Sequence, residues 1–133
     1  MHKELGEWMT DNVTVVRYND RLLKTDEKIQ ELLERYNKIN INDTARWSNQ
    51  GATFTRQLYN MLQLARVITL GAYNRNESRG AHYKPEFPER DDENWLKTTM
   101  AKFVAPDEAP HFHYEDVDVS LIKPRKRDYT KKH

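Results

Sequence analysis

Between Phe54 and His82 the apolar residues keep a helical interval for longer than anywhere else in the chain. Leu58, Met61, Leu62, Ala65, Ile68 and Ala72 recur at steps of three and four, which places them on one side of a helix. Leu64, Val67 and Leu70 widen that stripe, so the third helix is expected to be the most buried element. Its start is expected between Ser48 and Thr53, and the whole run to His82 reads as one long helix. The texture then changes within a few residues. Arg75, Glu77, Ser78, Arg79, Gly80 and His82 bring guanidinium, carboxylate, hydroxyl and imidazole together beside Tyr73 and Tyr83. Gly80 suits the left-handed residue that closes a helix, and Arg75, Arg79 and His82 suit the negative end of its dipole.

Two more amphipathic stretches precede it. Leu5, Trp8, Met9, Val13 and Val16 predict a first helix over about Lys3 to Tyr18, with a break near Asn12 where Val13-Thr14-Val15-Val16 resists helix. Leu22, Ile29, Leu32, Leu33, Tyr36 and Ile39 predict a second over about Asp20 to Lys38. Thr25, followed by Asp26 and Glu27, reads as an internal N-cap. Glu31 with Arg35 and Glu34 with Lys38 read as surface pairs four apart. The polar loop from Asn40 to about Gly51 carries one large apolar residue, Trp47, expected to fold back as a plug.

Short connections make the three helices an antiparallel up-and-down bundle of the spectrin-repeat kind. Pro85, Pro88 and Pro106 exclude a further long helix. Asp91-Asp92-Glu93-Asn94 suits one capped turn. Lys97–Val104 and His111–Glu115 then partly alternate around a Pro106–Pro110 turn, which predicts a β-hairpin. A lone hairpin is marginal in water and needs the bundle or a partner beneath it. The expected organisation is therefore mainly α: a bundle over residues 1–82, an extended segment and hairpin over 83–122 in the same domain, and a basic flexible tail over 123–133.

Composition narrows the function classes. The 133 residues carry 22 basic and 21 acidic side chains, so net charge gives no pull toward nucleic acid. There is no cysteine, which excludes disulfides, thiolate metal sites and thiol nucleophiles. No apolar run reaches the roughly 20 residues of a membrane span, and Met1–Leu5 has no secretory pattern. Gly-rich phosphate loops, Gly-x-Ser-x-Gly and His-Glu-x-x-His are all absent, and no buried carboxylate pair is evident. His111, His113 and Glu115 share one strand face, but a metal site needs more ligands than these, and a solvent-facing side is the expectation. Lys123, Arg125, Lys126, Arg127, Lys131 and Lys132 form a basic terminus with only Tyr129 to stack on bases; it reads as a solvated end. The residues alone describe a helical module with a polar docking end and no active site. A free-standing adaptor or nucleic-acid-binding module using the tail is the alternative of another class.

The same residues carry a family resemblance. Asn60-Met61-Leu62 with Leu64-Ala65, then Asn76-Glu77-Ser78-Arg79-Gly80-Ala81-His82-Tyr83, then Phe87–Lys97 with Arg90-Asp91-Asp92 and Trp95-Leu96-Lys97, resemble the C-terminal helical domain of the succinate dehydrogenase and fumarate reductase flavoprotein subunit. L-aspartate oxidase carries a similar Glu-Ser-Arg-Gly segment. The close Pro124-x-x-Arg127-x-Tyr129 is similar to that of many succinate dehydrogenase flavoproteins and favours that enzyme.

The resemblance implies an oxidoreductase whose complete flavoprotein carries FAD, oxidises succinate to fumarate and passes electrons through iron–sulfur clusters to quinone. It places the FAD, substrate and catalytic residues in other domains. In this chain it implies no catalytic, cofactor-binding or metal residue, and no bound cofactor. It implies a docking role for Arg75, Glu77, Ser78, Arg79, His82, Arg90, Asp91 and Asp92, on the premise that this charged cluster finds no partner within the chain. The partners implied are the FAD and capping domains of the same polypeptide, the iron–sulfur subunit and a membrane anchor, with no nucleic acid. The location implied is cytoplasmic, peripheral on the inner face of the cell membrane. Leu5 and Trp8 open the first helix without an N-cap, as expected of a domain cut from a longer protein.

Overall fold

The apolar side chains at helical spacing do meet, and they bring three helices together. A computed structural model describes residues 1–125, so Lys126, Arg127, Tyr129, Lys131 and Lys132 of the basic tail lie outside the described residues. Its helices are α1 (His2–Asn12), α2 (Asn19–Tyr36), α3 (Gln50–Asn74) and a single turn, α4 (Asp92–Trp95); its strands are β1 (Lys97–Lys102) and β2 (His111–Asp116). Leu5 packs with Ile29, Leu32, Leu58, Leu62 and Ala65 at one end of the bundle. Val13, Leu22 and Ala72 pack at the other. That pairing makes α2 antiparallel to both α1 and α3, the up-and-down arrangement expected.

Several local expectations need correcting. The first helix stops at Asn12, not Tyr18, because the β-branched run leaves helical geometry. The chain then extends, and Arg17 N donates to Tyr83 O at 3.0 Å. Val16, counted in the stripe, is consequently exposed. Thr25 caps nothing: α2 is continuous from Asn19 to Tyr36, and the buried Thr25 hydroxyl donates to Arg21 O one turn back. Glu31 pairs with Arg35 at 3.3 Å, and Glu4 joins Arg35 at 3.0 Å from α1. Trp47 is no plug and stands fully exposed. The loop is held instead by polar bonds, Ala45 N to Asp43 Oδ1 and Asn49 Nδ2 to Asp43 O, and these leave no apolar recess for an indole. Asn49 Oδ1 then caps α3 by accepting from Ala52 N.

The wide stripe of α3 splits in two. Leu58, Leu62, Ala65, Thr69 and Ala72 face α1 and α2 and are buried. Met61, Leu64 and Ile68, on the neighbouring side, are exposed.

Arg66 on the buried side breaks the apolar pattern. Its Nε donates to Asp26 Oδ1 of α2 at 2.9 Å, and both side chains are buried. Gln30 Nε2 donates to the second Asp26 oxygen, and Arg66 Nη1 donates to Glu108 O in the hairpin turn. The expected absence of a buried pair concerned two carboxylates, and this buried carboxylate–guanidinium pair was not part of it. It was hidden because its members lie 40 residues apart on two different helices.

The hairpin forms with Lys97 opposite Asp116 and Lys102 opposite His111. Phe112 lies over Gly71, whose missing side chain lets the ring approach α3. Tyr114 meets Trp95 edge-on at 5.3 Å. His111, His113 and Glu115 occupy the outward face with Met100, and His113 stands 3.7 Å from Glu115. Among the described residues no group of three or more such ligands could hold a metal ion.

Removing one member of a buried pair strands the other, at a cost of about 3–5 kcal/mol, whereas an apolar pair of similar volume is often neutral. Arg66→Met is expected to destabilise by about 3–5 kcal/mol, and the double variant Asp26→Leu/Arg66→Met to recover most of the loss. Urea unfolding of both variants, read by circular dichroism, checks this.

Candidate functional site: a polar-cored loop at the end of α3

The helix ends at Asn74, eight residues before His82, and Gly80 is not its cap. Gly80, at φ +59°, instead turns the chain between Arg79 and His82, whose backbones exchange hydrogen bonds of 2.8 and 3.0 Å. Left-handed backbone of that kind favours glycine. The last carbonyls of α3 are met from across the loop. Lys84 Nζ donates to Tyr73 O at 2.8 Å and to Asn76 Oδ1 at 2.9 Å. Lys84 is fully buried, and that burial pushes its ammonium down to about 8. His82 Nε2 lies 2.9 Å from Arg75 O.

Glu77 is the centre of the loop. Its carboxylate is fully buried and accepts four bonds: from Arg75 Nη1, from Arg79 Nε at 2.9 Å, from Arg79 Nη2 at 3.0 Å and from Asp91 N at 3.1 Å. Arg75 continues to the hairpin, donating to Trp95 O, Lys97 O and Thr99 Oγ1 while lying over the Trp95 ring. Arg79 reaches Asp92 Oδ1 at 2.6 Å, and Arg90 holds the other oxygen at 2.6 Å. These two guanidiniums keep the Asp92 carboxyl below its usual range, the Arg79 bond contributing most. Asp91 caps α4 by accepting from Glu93 N and Asn94 N. Ser78 Oγ accepts from Lys84 N and donates to Phe87 O at 2.7 Å, closing the loop on itself.

Six of the eight expected docking residues, Arg75, Glu77, Arg79, Arg90, Asp91 and Asp92, thus belong to one network, with Ser78 bonded beside it to Lys84 and Phe87; the premise that the cluster lacks partners in the chain is corrected. The carboxylates that neutralise it are Glu77 and Asp92, supplied locally because the loop doubles back. His82 lies on the other side, against Arg17. A guanidinium only donates, so His82 Nδ1 accepts from Arg17 and Nε2 carries the proton toward Arg75 O. Burial lowers the affinity of His82 for a second proton, and Arg17, Lys84 and Arg75 lower it further. Sequence reasoning missed Lys84 and Arg17. A lysine between Tyr83 and Pro85 looks like surface chain, and with the helix expected to close at Gly80 nothing in the sequence called for a cation at the carbonyls near Asn74.

Two clefts lie beside α3, one of them reaching Arg75. One, about 230 Å³, is lined by Arg17, His82, Arg75, Thr99, Ile68 and Phe112 among others. The second, about 240 Å³, lies between Leu64, Val67, Ala101, Phe103, Val104 and Pro110. Both fall short of the roughly 300–1,000 Å³ usual for small-molecule sites. Neither offers the row of backbone N–H groups that cradles a dinucleotide's phosphates, so these clefts do not fit FAD. The geometry is that of a helical bundle closed at one end by a polar-cored loop.

Comparison with known proteins places the module. Residues 2–129 match the family described as fumarate reductase flavoprotein C-term. The succinate dehydrogenase flavoprotein subunit of Bacillus subtilis (strain 168) is 80% identical over 132 residues, covering 99% of this chain and 22% of that protein. A solved structure of a mutated Escherichia coli quinol fumarate reductase superposes with a TM-score of 0.88 at 34% identity, covering 96% of this chain and 22% of the other. Mycobacterium smegmatis Sdh1 in complex with UQ1 superposes with a TM-score of 0.74 at 27% identity, covering 86% and 19%. The chain belongs to the C-terminal family of the succinate dehydrogenase and fumarate reductase flavoproteins. It spans about a fifth of the length of these relatives.

The lowered proton affinity of His82 has a sign. The unfolded chain takes up a proton on this residue before the folded one does, so stability held at neutral pH is lost as pH falls below the ordinary histidine range. His82→Gln keeps one donor and one acceptor without titrating. Its unfolding free energy is expected to fall less between pH 7.5 and 5.5 than that of the parent, as measured by urea titration at both values.

Proposed function

We propose that this chain acts as the C-terminal helical domain of a succinate dehydrogenase flavoprotein subunit. The complete protein, in this reading, oxidises succinate to fumarate through FAD and passes electrons by way of iron–sulfur clusters to quinone. The observation that carries it is the 80% identity to the B. subtilis subunit over 132 residues. Fumarate reductase flavoproteins such as that of E. coli (strain K12) stand at 35% over 128 residues, which favours succinate dehydrogenase.

The chain's own part is structural. The FAD and capping domains of the same polypeptide are its immediate partners, with the iron–sulfur subunit and membrane anchor beyond them. No helix among the described residues is long and apolar enough to cross a membrane. In this reading the complex sits on the inner face of the cell membrane, on the cytoplasmic side, held there by its membrane anchor.

Arg75, Glu77, Ser78, Arg79, His82, Arg90, Asp91 and Asp92 serve docking mainly by fixing the shape of the loop. The partly exposed rim of Arg79, Arg90 and Asp92 is left to meet a neighbour. Residues 1–122 act as one unit, because Arg75 and Arg66 tie the hairpin to α3.

Two measurements test this. The complex expressed from the complete gene should contain flavin and reduce an artificial acceptor with succinate, whereas the 133-residue chain mixed with FAD and succinate should neither turn yellow nor turn over. Stoichiometric flavin on the short chain would overturn the reading. Within the complete enzyme, Arg79→Ala removes charge-assisted bonds worth about 1.5–3 kcal/mol. It is expected to lower the melting temperature while flavin reduction by succinate keeps its rate constant; a collapsed rate with normal melting would refute the structural role.

A further inference from the structure

The apolar band of α3 is broader than the bundle covers. Met61, Leu64 and Ile68 form a second row beside the buried one, with Leu64 62% and Ile68 51% exposed. Phe103 and Val104, at the end of β1, stand 58% and 48% exposed across from them. The two clefts beside α3 share Val67 and Ala101 in their walls, so they adjoin, and together they line a trough along the seam between helix and hairpin.

At one end of this trough sits Arg17. It is partly buried, donates to Val13 O and His82, and makes no ion pair among the described residues. The contrast with the loop of Glu77 is sharp, since there every guanidinium has its carboxylate. A partly buried cation without an acid beside a solvated apolar trough is incomplete as a surface: isolated charges are retained in such places when paired, and apolar patches rimmed by polar groups mark interaction sites.

We propose that this trough is the direct docking surface for the rest of the flavoprotein polypeptide, and that the segment seated in it is apolar and carries a carboxylate that meets Arg17. This rests on the reading of the chain as one domain of a longer flavoprotein. The relatives it matches are more than four times its length, of which it spans 22%, so the greater part of such a polypeptide lies outside this chain and supplies the segment that covers the trough. The occupant's chemistry follows from the trough: apolar walls from Leu64, Val67, Ile68, Phe103 and Val104, and one unmatched guanidinium. The self-satisfied loop of Glu77 offers no comparable opening. It acts instead by holding β1, through Arg75, at the width the trough requires.

These 133 residues contribute no cysteine of their own, and peptide mass spectrometry reads each introduced cysteine separately, which allows a site-by-site test. Leu64→Cys, Ile68→Cys and, as a control at an exposed position outside the trough walls, Lys38→Cys are introduced singly into the complete flavoprotein polypeptide, purified without the iron–sulfur subunit. Maleimide labelling of each is followed by peptide mass spectrometry, in native buffer and after denaturation. The expected result is native labelling at Leu64→Cys and Ile68→Cys slowed at least roughly tenfold relative to denatured protein, with Lys38→Cys little affected. Adding Arg17→Met is expected to restore labelling at Ile68→Cys, and Arg17→Lys to leave it slow.

Fast native labelling at both trough positions overturns the proposal. So does protection that appears only when the iron–sulfur subunit is added, or protection that depends on protein concentration, which would mark a second copy. Should Arg17→Met unfold the protein, Arg17→Gln keeps side-chain N–H donors without the charge and is expected to speed labelling at Ile68→Cys; no effect removes the carboxylate from the account. Flavin content and succinate oxidation, measured on the same preparation, report the enzymatic reading independently.

Discussion

One carboxylate sets the lower half of this molecule. Glu77 is removed from water completely, and its four donors come from Arg75, from Arg79 twice and from the backbone of Asp91. Desolvating such a group costs several kcal/mol and is compensated only with full hydrogen bonding. That requirement dictates the path of the chain. Residues 75 to 91 must double back so that both guanidiniums and the Asp91 amide reach one point. Once they do, Arg75 is positioned to hold the start of β1, and Phe112 comes down on Gly71. The hairpin, marginal alone, inherits its placement from an ionic bond it does not share.

The bundle and the loop use different physics. The bundle is held by apolar burial, with Leu22, Ile29, Leu32 and Leu62 wholly enclosed. The loop has almost no apolar interior. Its buried residues are Glu77 and Lys84, an anion and a cation, one gathering guanidiniums and the other closing the carbonyl end of α3. A polar interior of this kind tolerates little rearrangement, because each partner has one geometry in which every donor is used. It fixes a shape, whereas the trough beside α3 leaves apolar surface for something else to cover.

The three helices, the capped turn at Asp91 and the hairpin were legible from periodicity and turn residues, since those signals are local. The first helix ended early for a reason visible in Val13–Val16. Trp47, the Asp26–Arg66 pair and Lys84 were not legible. Whether an indole finds a recess, or a buried aspartate finds an arginine 40 residues on, depends on where separate elements meet. The charged cluster was visible as a cluster, but its state of satisfaction was not. Glu77 and Arg79 in sequence look like material for an external contact; folded, they consume one another. The surface more in need of a partner lay inside the stripe that looked like ordinary core, because periodicity identifies an apolar face without saying how much of it the neighbours cover.

The fates of the three tryptophans divide the molecule optically. Trp47 stands in bulk water. Trp8 belongs to α1, and Trp95 lies beneath Arg75 and against Tyr114. Emission from the first is already that of a hydrated indole and has little left to change when the chain unfolds. The red shift on denaturation therefore comes from the other two, one witnessing the helical half and the other the seam between helix end and hairpin. Replacing either one leaves a chain whose fluorescence listens to a single half, so the order in which the two come apart can be heard without adding any foreign dye.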